Sequence, residues 1–158
     1  MKRIKLTFVK ENVSAMALLL EDQAPETCRC IWALLETPLE QRAIHAMWTG
    51  RELSYPIPAE MFPDDEGLKI PPENQTVLPI PGDLIWNAYF PYQWQGNPNP
   101  VYDFGIFYGR DSRLLLPVGW RPSNRFGSIN ENLDSFAALC ARCQREGAKS
   151  IRLERCTS

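Results

Sequence analysis

The sequence predicts a mainly β domain: a closed β-barrel of about eight strands with two helices plugging its open ends. Three observations predict it. Segments alternating at a period of two recur along the whole chain, as in half-buried strands. Only two stretches repeat apolar residues at helical spacing, one early and one near the end. Clusters of Gly, Pro, Asn and Asp separate the segments, as turns do. A sandwich flanked by the same two helices is the competing arrangement.

The elements follow in order. In "RIKLTFV", Ile4, Leu6 and Phe8 alternate with Lys5 and Thr7, and after the turn "KEN" the run "VSAMALLL" supplies a second strand, so the two make an antiparallel hairpin. A helix is expected from Pro25 to about Leu35, announced by Asp22 and by Pro25, with Cys28, Ile31, Trp32 and Leu35 on one face and Pro38 as its stop. "QRAIHAMWTGRELSYPI" reads as a strand pair or bent strand broken near Gly50. From Pro56 to Pro81 half of the prolines fall in one segment, an ordered excursion over the surface rather than sheet interior. "LPIPGDLIWNAYF" gives a turn and a strand through Trp86, followed by the aromatic loop "YFPYQWQGNPNPVY". "YDFGIFYG" and "LLLPVGW" are further strands, and "RPSNRFGS" reads as a turn. Ser128 and Glu131 have capping-box spacing ahead of a helix carrying Leu133, Phe136, Ala137 and Cys140 on one face, with Gly147 as its stop. "AKSIRLER" closes the chain as an amphipathic strand.

At 158 residues, with 44% hydrophobic and 23% charged, the chain has the make-up of one globular domain, residues 1–158. A net charge of -2 gives no basic excess for nucleic acid. No signal peptide is visible, and "VSAMALLL" is far short of the ~20 residues that cross a bilayer, so a cytoplasmic protein off the membrane is expected. Five cysteines, an odd number, argue for reduced thiols. Cys140 and Cys143 form a C-x-x-C late in a helix, whereas redox pairs sit at a helix N-terminus, so small apolar filler is the reading preferred. One histidine with scattered carboxylates makes no metal set, and no P-loop, nucleophile elbow or dinucleotide fingerprint occurs, so neither metal nor cofactor is expected.

The order of elements, with "LLLEDQAPETC", "IHAMWTGRELSY", "PGDLIWN", "FGIFYGR" and the terminal "IRLER", resembles the small bacterial and archaeal members of the cyclophilin-like fold, specifically an uncharacterised family within it. The resemblance spans most of the chain, and the Pro-rich middle looks like an enlargement. It implies a fold but no assigned reaction. Cyclophilins proper use an arginine after the histidine of a Phe-His-Arg strand motif. The nearest match here is Ile44-His45-Ala46, so the arginine is missing and no prolyl isomerase activity is expected. Fold neighbours of that family include domains of amide and urea-derivative hydrolases, which implies a small amide, carboxylate or cyclic ureide as ligand.

Candidate site residues cluster around "RAIHAMWTGRELSY". His45, as the sole imidazole, is the first candidate for proton transfer, with Glu52 beside it; whether any reaction follows binding is left open. Trp48, Tyr55, Trp86, Tyr89, Trp94 and Tyr102 are expected to wall a pocket at the barrel mouth. Each has a plainer alternative: a backbone-bonded imidazole for His45, core packing for Trp48, a solvated strand residue for Glu52, an Asx turn for Asp83. Tyr89, Phe90, Tyr92 and Trp94 in one loop point either to a lid or to a subunit contact, and a homo-oligomer is expected. The second functional class is a non-catalytic protein or peptide interaction module using the Pro-rich and aromatic loops.

Overall fold

In the computed structural model, which describes residues 1–156, the chain runs β1 (Arg3–Phe8), β2 (Val13–Leu19), α1 (Pro25–Leu34), β3 (Leu39–His45), β4 (Glu52–Ile57), β5 (Gln75–Thr76), β6 (Asp83–Tyr89) and β7 (Val101–Phe107). There follow β8 (Leu115–Leu116), β9 (Gly119–Trp120), β10 (Ser123–Glu131), α2 (Leu133–Glu146) and β11 (Lys149–Cys156). The strands pair in the order β2-β1-β11-β3-β4-β7-β6-β10, and β10 pairs back onto β2. That last pairing closes an eight-stranded antiparallel barrel, so the sheet has no free long edge. The short β5 adds to β10, and β8 with β9 form a separate small hairpin.

Side chains alternate across each strand, and the alternation decides what the barrel contains. Leu53, Tyr55 and Ile57 of β4, Tyr102, Phe104 and Ile106 of β7, and Leu84 and Trp86 of β6 belong to the main core. Their neighbours Glu52, Ser54, Asp103, Asn87 and Tyr89 therefore stand on the outer wall. A second apolar cluster of Ile85, Phe107 and Leu114 also lies outside the barrel, where the chain after β7 folds back over it.

The helices close opposite ends. α1 meets the end where β1 begins, with buried Cys28 and Ile31 and the Cys28 thiol 3.3 Å from the Phe126 carbonyl. At the other end α2 sets Phe136 against Phe8, ring centroids 4.7 Å apart. The five cysteines are free, and four are buried. Burial pushes the Cys28 thiol up to about 12 and Cys30 up to about 11, and raises Cys140 and Cys143, so these thiols act as apolar filler.

Three sequence expectations are corrected. "RPSNRFGS" is not a turn but the body of β10, nine residues long. Its turn-forming residues have other uses: Ser123 and Asn124 are buried and hydrogen-bonded, and Gly127 leaves the room that Leu84 fills, since a Cβ there would lie 2.9 Å from Leu84 Cδ1. The register shifts between Arg125 and Gly127 and between Ile129 and Glu131, irregularities that bend a strand closing a barrel. Ser128 and Glu131 lie in this strand rather than capping α2, whose N-cap is Asn132 without a side-chain cap. Nor does Asp22 cap α1. Its N-cap is Ala24, and the carboxylate of Glu73 accepts from the Glu26 and Thr27 amides, both at 2.9 Å. That contact ties the Pro-rich segment across the α1 end, where Phe62 is buried against Tyr102 and Trp86.

Candidate functional site

Outward-facing residues of β4, β7 and β6 floor a cavity of about 300 Å3 on the outer wall of the barrel. This corrects the expected place, the barrel mouth: inward residues fill the barrel and its ends are plugged, which leaves the polar outer stripe under the loops as the hollow. The β3–β4 loop contributes Met47, Trp48 and Thr49, the β6–β7 loop Trp94 and Gln95, and the segment after β7 Leu114 and Leu116. These covers are tied together. Arg113 N–H donates to the Thr49 carbonyl at 3.0 Å, and Arg51 N–H to the Ser112 hydroxyl at 3.1 Å. Gly50, at φ +98°, makes the turn with Ser112 close against it.

Two carboxyls stand on the floor. Glu52 is 3% exposed, and its Oε2 accepts a short hydrogen bond from Thr49. Its Oε1 lies over Gly105, where a Cβ would be only 2.6 Å away, so the glycine makes the seat for the carboxyl. Asp103, two residues before that glycine on the same face, accepts from the Ser54 hydroxyl at 2.5 Å. Burial raises Glu52 well above the usual carboxylate range; the charge of Asp103 adds to the rise and the Thr49 bond opposes it. Burial likewise pushes Asp103 up to about 6, against the bonds from Ser54 and the Tyr55 main chain. Near neutral pH the pair therefore retains a proton that separate exposed carboxylates would have lost. Among the described residues lining the cavity, none is lysine or arginine.

Rings form one wall. Trp94 meets Trp48 edge-on with centroids 5.8 Å apart and leans on Tyr89 at 4.9 Å. The Arg121 guanidinium covers Tyr89 from behind, 4.3 Å from its centroid. Asn87, paired in register with Asp103, accepts a short hydrogen bond from Ser123.

The expected site residues divide. His45, Trp48, Glu52, Tyr89, Trp94 and Tyr102 line the cavity. The ring of Tyr102, however, packs inward on Phe62 and stacks with Trp86. Tyr55 does not reach the site: its hydroxyl lies 2.9 Å from the Leu39 carbonyl and 3.2 Å from that of Ile151. Trp86 faces the core and a smaller cavity of about 170 Å3 beside the Pro-rich segment. The nitrogens of half-buried His45 are both engaged, Nδ1 with the Ala46 carbonyl at 2.8 Å and Nε2 with the Tyr108 hydroxyl at 2.7 Å. A carbonyl only accepts, so Nδ1 carries the proton and Nε2 accepts from Tyr108. Asp83 accepts from Ile80 N–H at 2.9 Å and pairs with Arg125, which accounts for it structurally. Sequence reasoning missed Asp103 and Ser54. Their signal was a polar residue between inward aromatic or aliphatic ones on strands that pair, and pairing of β4 with β7 is not written in either strand.

No three or more His, Cys, Asp or Glu side chains converge as a metal set among the described residues. No described helix is long and apolar enough to cross a membrane.

Comparison with known proteins adds a family. A model described as a protein of unknown function, DUF3830, matches residues 6–155. The chain belongs to the DUF3830 family. This DUF3830 chain is similar in structure to McbB, solved in complex with tryptophan, with a TM-score of 0.68 and 18% identity over 98% of this chain and 45% of that one. It thus spans less than half of that protein. It is also similar to a hypothetical protein from Archaeoglobus fulgidus solved in solution, with a TM-score of 0.53 and 18% identity, covering 98% of this chain and 95% of the other. At such identities the likeness is one of fold. No curated protein sequence matches the chain.

Proposed function

We propose that this DUF3830 protein is a cyclophilin-like barrel that binds a small organic molecule in the outer-wall cavity, without prolyl isomerase activity. The observation that carries the reading is the floor itself: a buried Glu52 carboxyl seated over Gly105 with half-buried Asp103 beside it, beneath a roof of rings. Burying acids lowers stability unless something else selects for them, and a barrel wall has no structural need for the pair. The volume, about 300 Å3, falls at the small end of ligand pockets. Of the three ligand classes expected, an amide or cyclic ureide fits, because its N–H groups meet carboxyl oxygens. A carboxylate fits poorly, since the lining carries two acids and neither lysine nor arginine. His45 holds the β3–β4 loop in this reading, and Glu52 and Asp103 are the polar contacts. The tryptophan held by the McbB neighbour is likewise an aromatic ring bearing N–H donors, which agrees with the reading by analogy.

Thermal-shift screening against small amides, ureides, amines and acids tests it. A ligand at 100 times its dissociation constant adds about 2.7 kcal/mol to stability. The stabilisation must disappear in Trp94→Ala and survive in Trp32→Phe, at the α1 end. Self-association is also proposed: Met47, Tyr92 and Trp120 are more than half exposed on loops and the small hairpin, and sedimentation of the free chain measures it.

A further inference from the structure

The cavity has a polarity that narrows its ligand. Its rings, Trp48, Tyr89 and Trp94, present faces and edges to a volume whose floor is acidic and whose lining holds no lysine or arginine. Glu52 Oε2 is taken by Thr49, and Oε1 makes no hydrogen bond among the described residues, although the residue is only 3% exposed. Resting on the small-molecule reading above, we propose that the ligand is a protonated primary amine on an aromatic or aliphatic body, its ammonium seated between Glu52 and Asp103 and its body against the three rings. An ammonium supplies three N–H donors, which suits Glu52 Oε1 and the Asp103 carboxyl better than one amide N–H does. Aromatic faces beside a carboxylate stabilise a cation further.

Binding of this kind exchanges a cation for a proton. Below about pH 6 Asp103 is protonated as well as Glu52 in the empty cavity, and the incoming ammonium drives the Asp103 proton out to solvent while Glu52, raised well above the usual carboxylate range, keeps its own. Asp103, at about 6, sets where this shows: below it a proton must leave, so affinity rises about tenfold between pH 5 and pH 7 and then levels. The other titratable groups facing the pair are His45 from the β3–β4 side and the Tyr89 phenol from β6, with Arg121 behind that ring.

The test is calorimetry of the intact protein with phenethylamine, phenylpropionamide and phenylpropionate, each in two buffers of different ionisation enthalpy. The expected result is that phenethylamine binds at least tenfold tighter than the other two, with roughly 0.8 of a proton released at pH 5.5. Asp103→Asn should abolish the proton release and the preference, while Trp32→Phe, at the α1 end, keeps both; circular dichroism melts establish that each variant is folded. Equal or tighter binding of the neutral amide, no proton release, or a pH dependence that persists unchanged in Asp103→Asn overturns the amine assignment and leaves the small-molecule reading standing. Binding of none of the three overturns the amine assignment, and the wider panel then decides the small-molecule reading separately.

Discussion

Gly105→Ala sets two physical rules against each other. Alanine is the better strand residue, and where it fits, replacing glycine stabilises a protein by about 0.4–1 kcal/mol through the unfolded chain. Here the added methyl would lie 2.6 Å from Glu52 Oε1 and 3.1 Å from Phe107 Cε2. The Glu52 carboxyl is buried and tethered by Thr49, so swinging it toward the cavity would break that hydrogen bond. Overpacking a filled site costs about 1–3 kcal/mol, which outweighs the entropic gain. The net expectation is a loss of about 1–2 kcal/mol, or roughly 2–8 °C in Tm for a chain of this size. Urea denaturation at pH 7 gives the free energy, and a double-mutant cycle with Glu52→Ala gives its origin. With the carboxyl gone, Gly105→Ala should become neutral or stabilising, a coupling of about 1 kcal/mol or more. If Gly105→Ala is as stable as the parent, or costs the same with and without Glu52, the carboxyl does not sit over this glycine and the floor of the site is wrongly drawn.

Three further outcomes are expected. Asp103 titrates near 3.8 when unfolded and at about 6 when folded, so the native state binds more protons in that window and stability falls as pH rises through it. At 1.36 kcal/mol per unit the fall from Asp103 is at most about 3 kcal/mol, and Asp103→Asn should flatten the profile measured by chemical denaturation between pH 4 and 7. Glu73→Ala removes the carboxylate that caps α1 from the Pro-rich segment, and should lower stability by about 1–2 kcal/mol in a thermal melt; an unchanged melt would detach that segment from the helix. A thiol reagent should modify Cys156 in the native protein well before the other four cysteines, which should react only on unfolding; mass spectrometry of the labelled peptides reads the order.

What the sequence made legible, and what it hid, follows from the range of the forces involved. Local alternation in β1, β4, β6 and β7 and the apolar stripes of α1 and α2 are properties of adjacent residues, and they placed those elements. β10 was hidden because Ser123, Asn124 and Gly127 are turn residues by local preference, and only contacts far along the chain, with Pro71, Thr27 and Leu84, make them strand residues. The site was half legible for the same reason. Trp48, Glu52, Tyr89 and Trp94 stood out by type, but placing them outside the barrel requires knowing that β4 lies beside β7 and β7 beside β6. Asp103 and Ser54 meet only across that pairing. The histidine drew attention for being alone, yet its two nitrogens serve a turn and a tyrosine.

The five tryptophans sort the alternatives directly, because their indole N–H signals resolve in an NMR correlation spectrum. During titration with the tightest ligand from the thermal screen, the signals of Trp48 and Trp94 should move, while those of Trp32, Trp86 and Trp120 stay in place. Movement confined to Trp86, beside the smaller cavity, or to Trp32 at the α1 end would put the ligand elsewhere and contradict the outer-wall site.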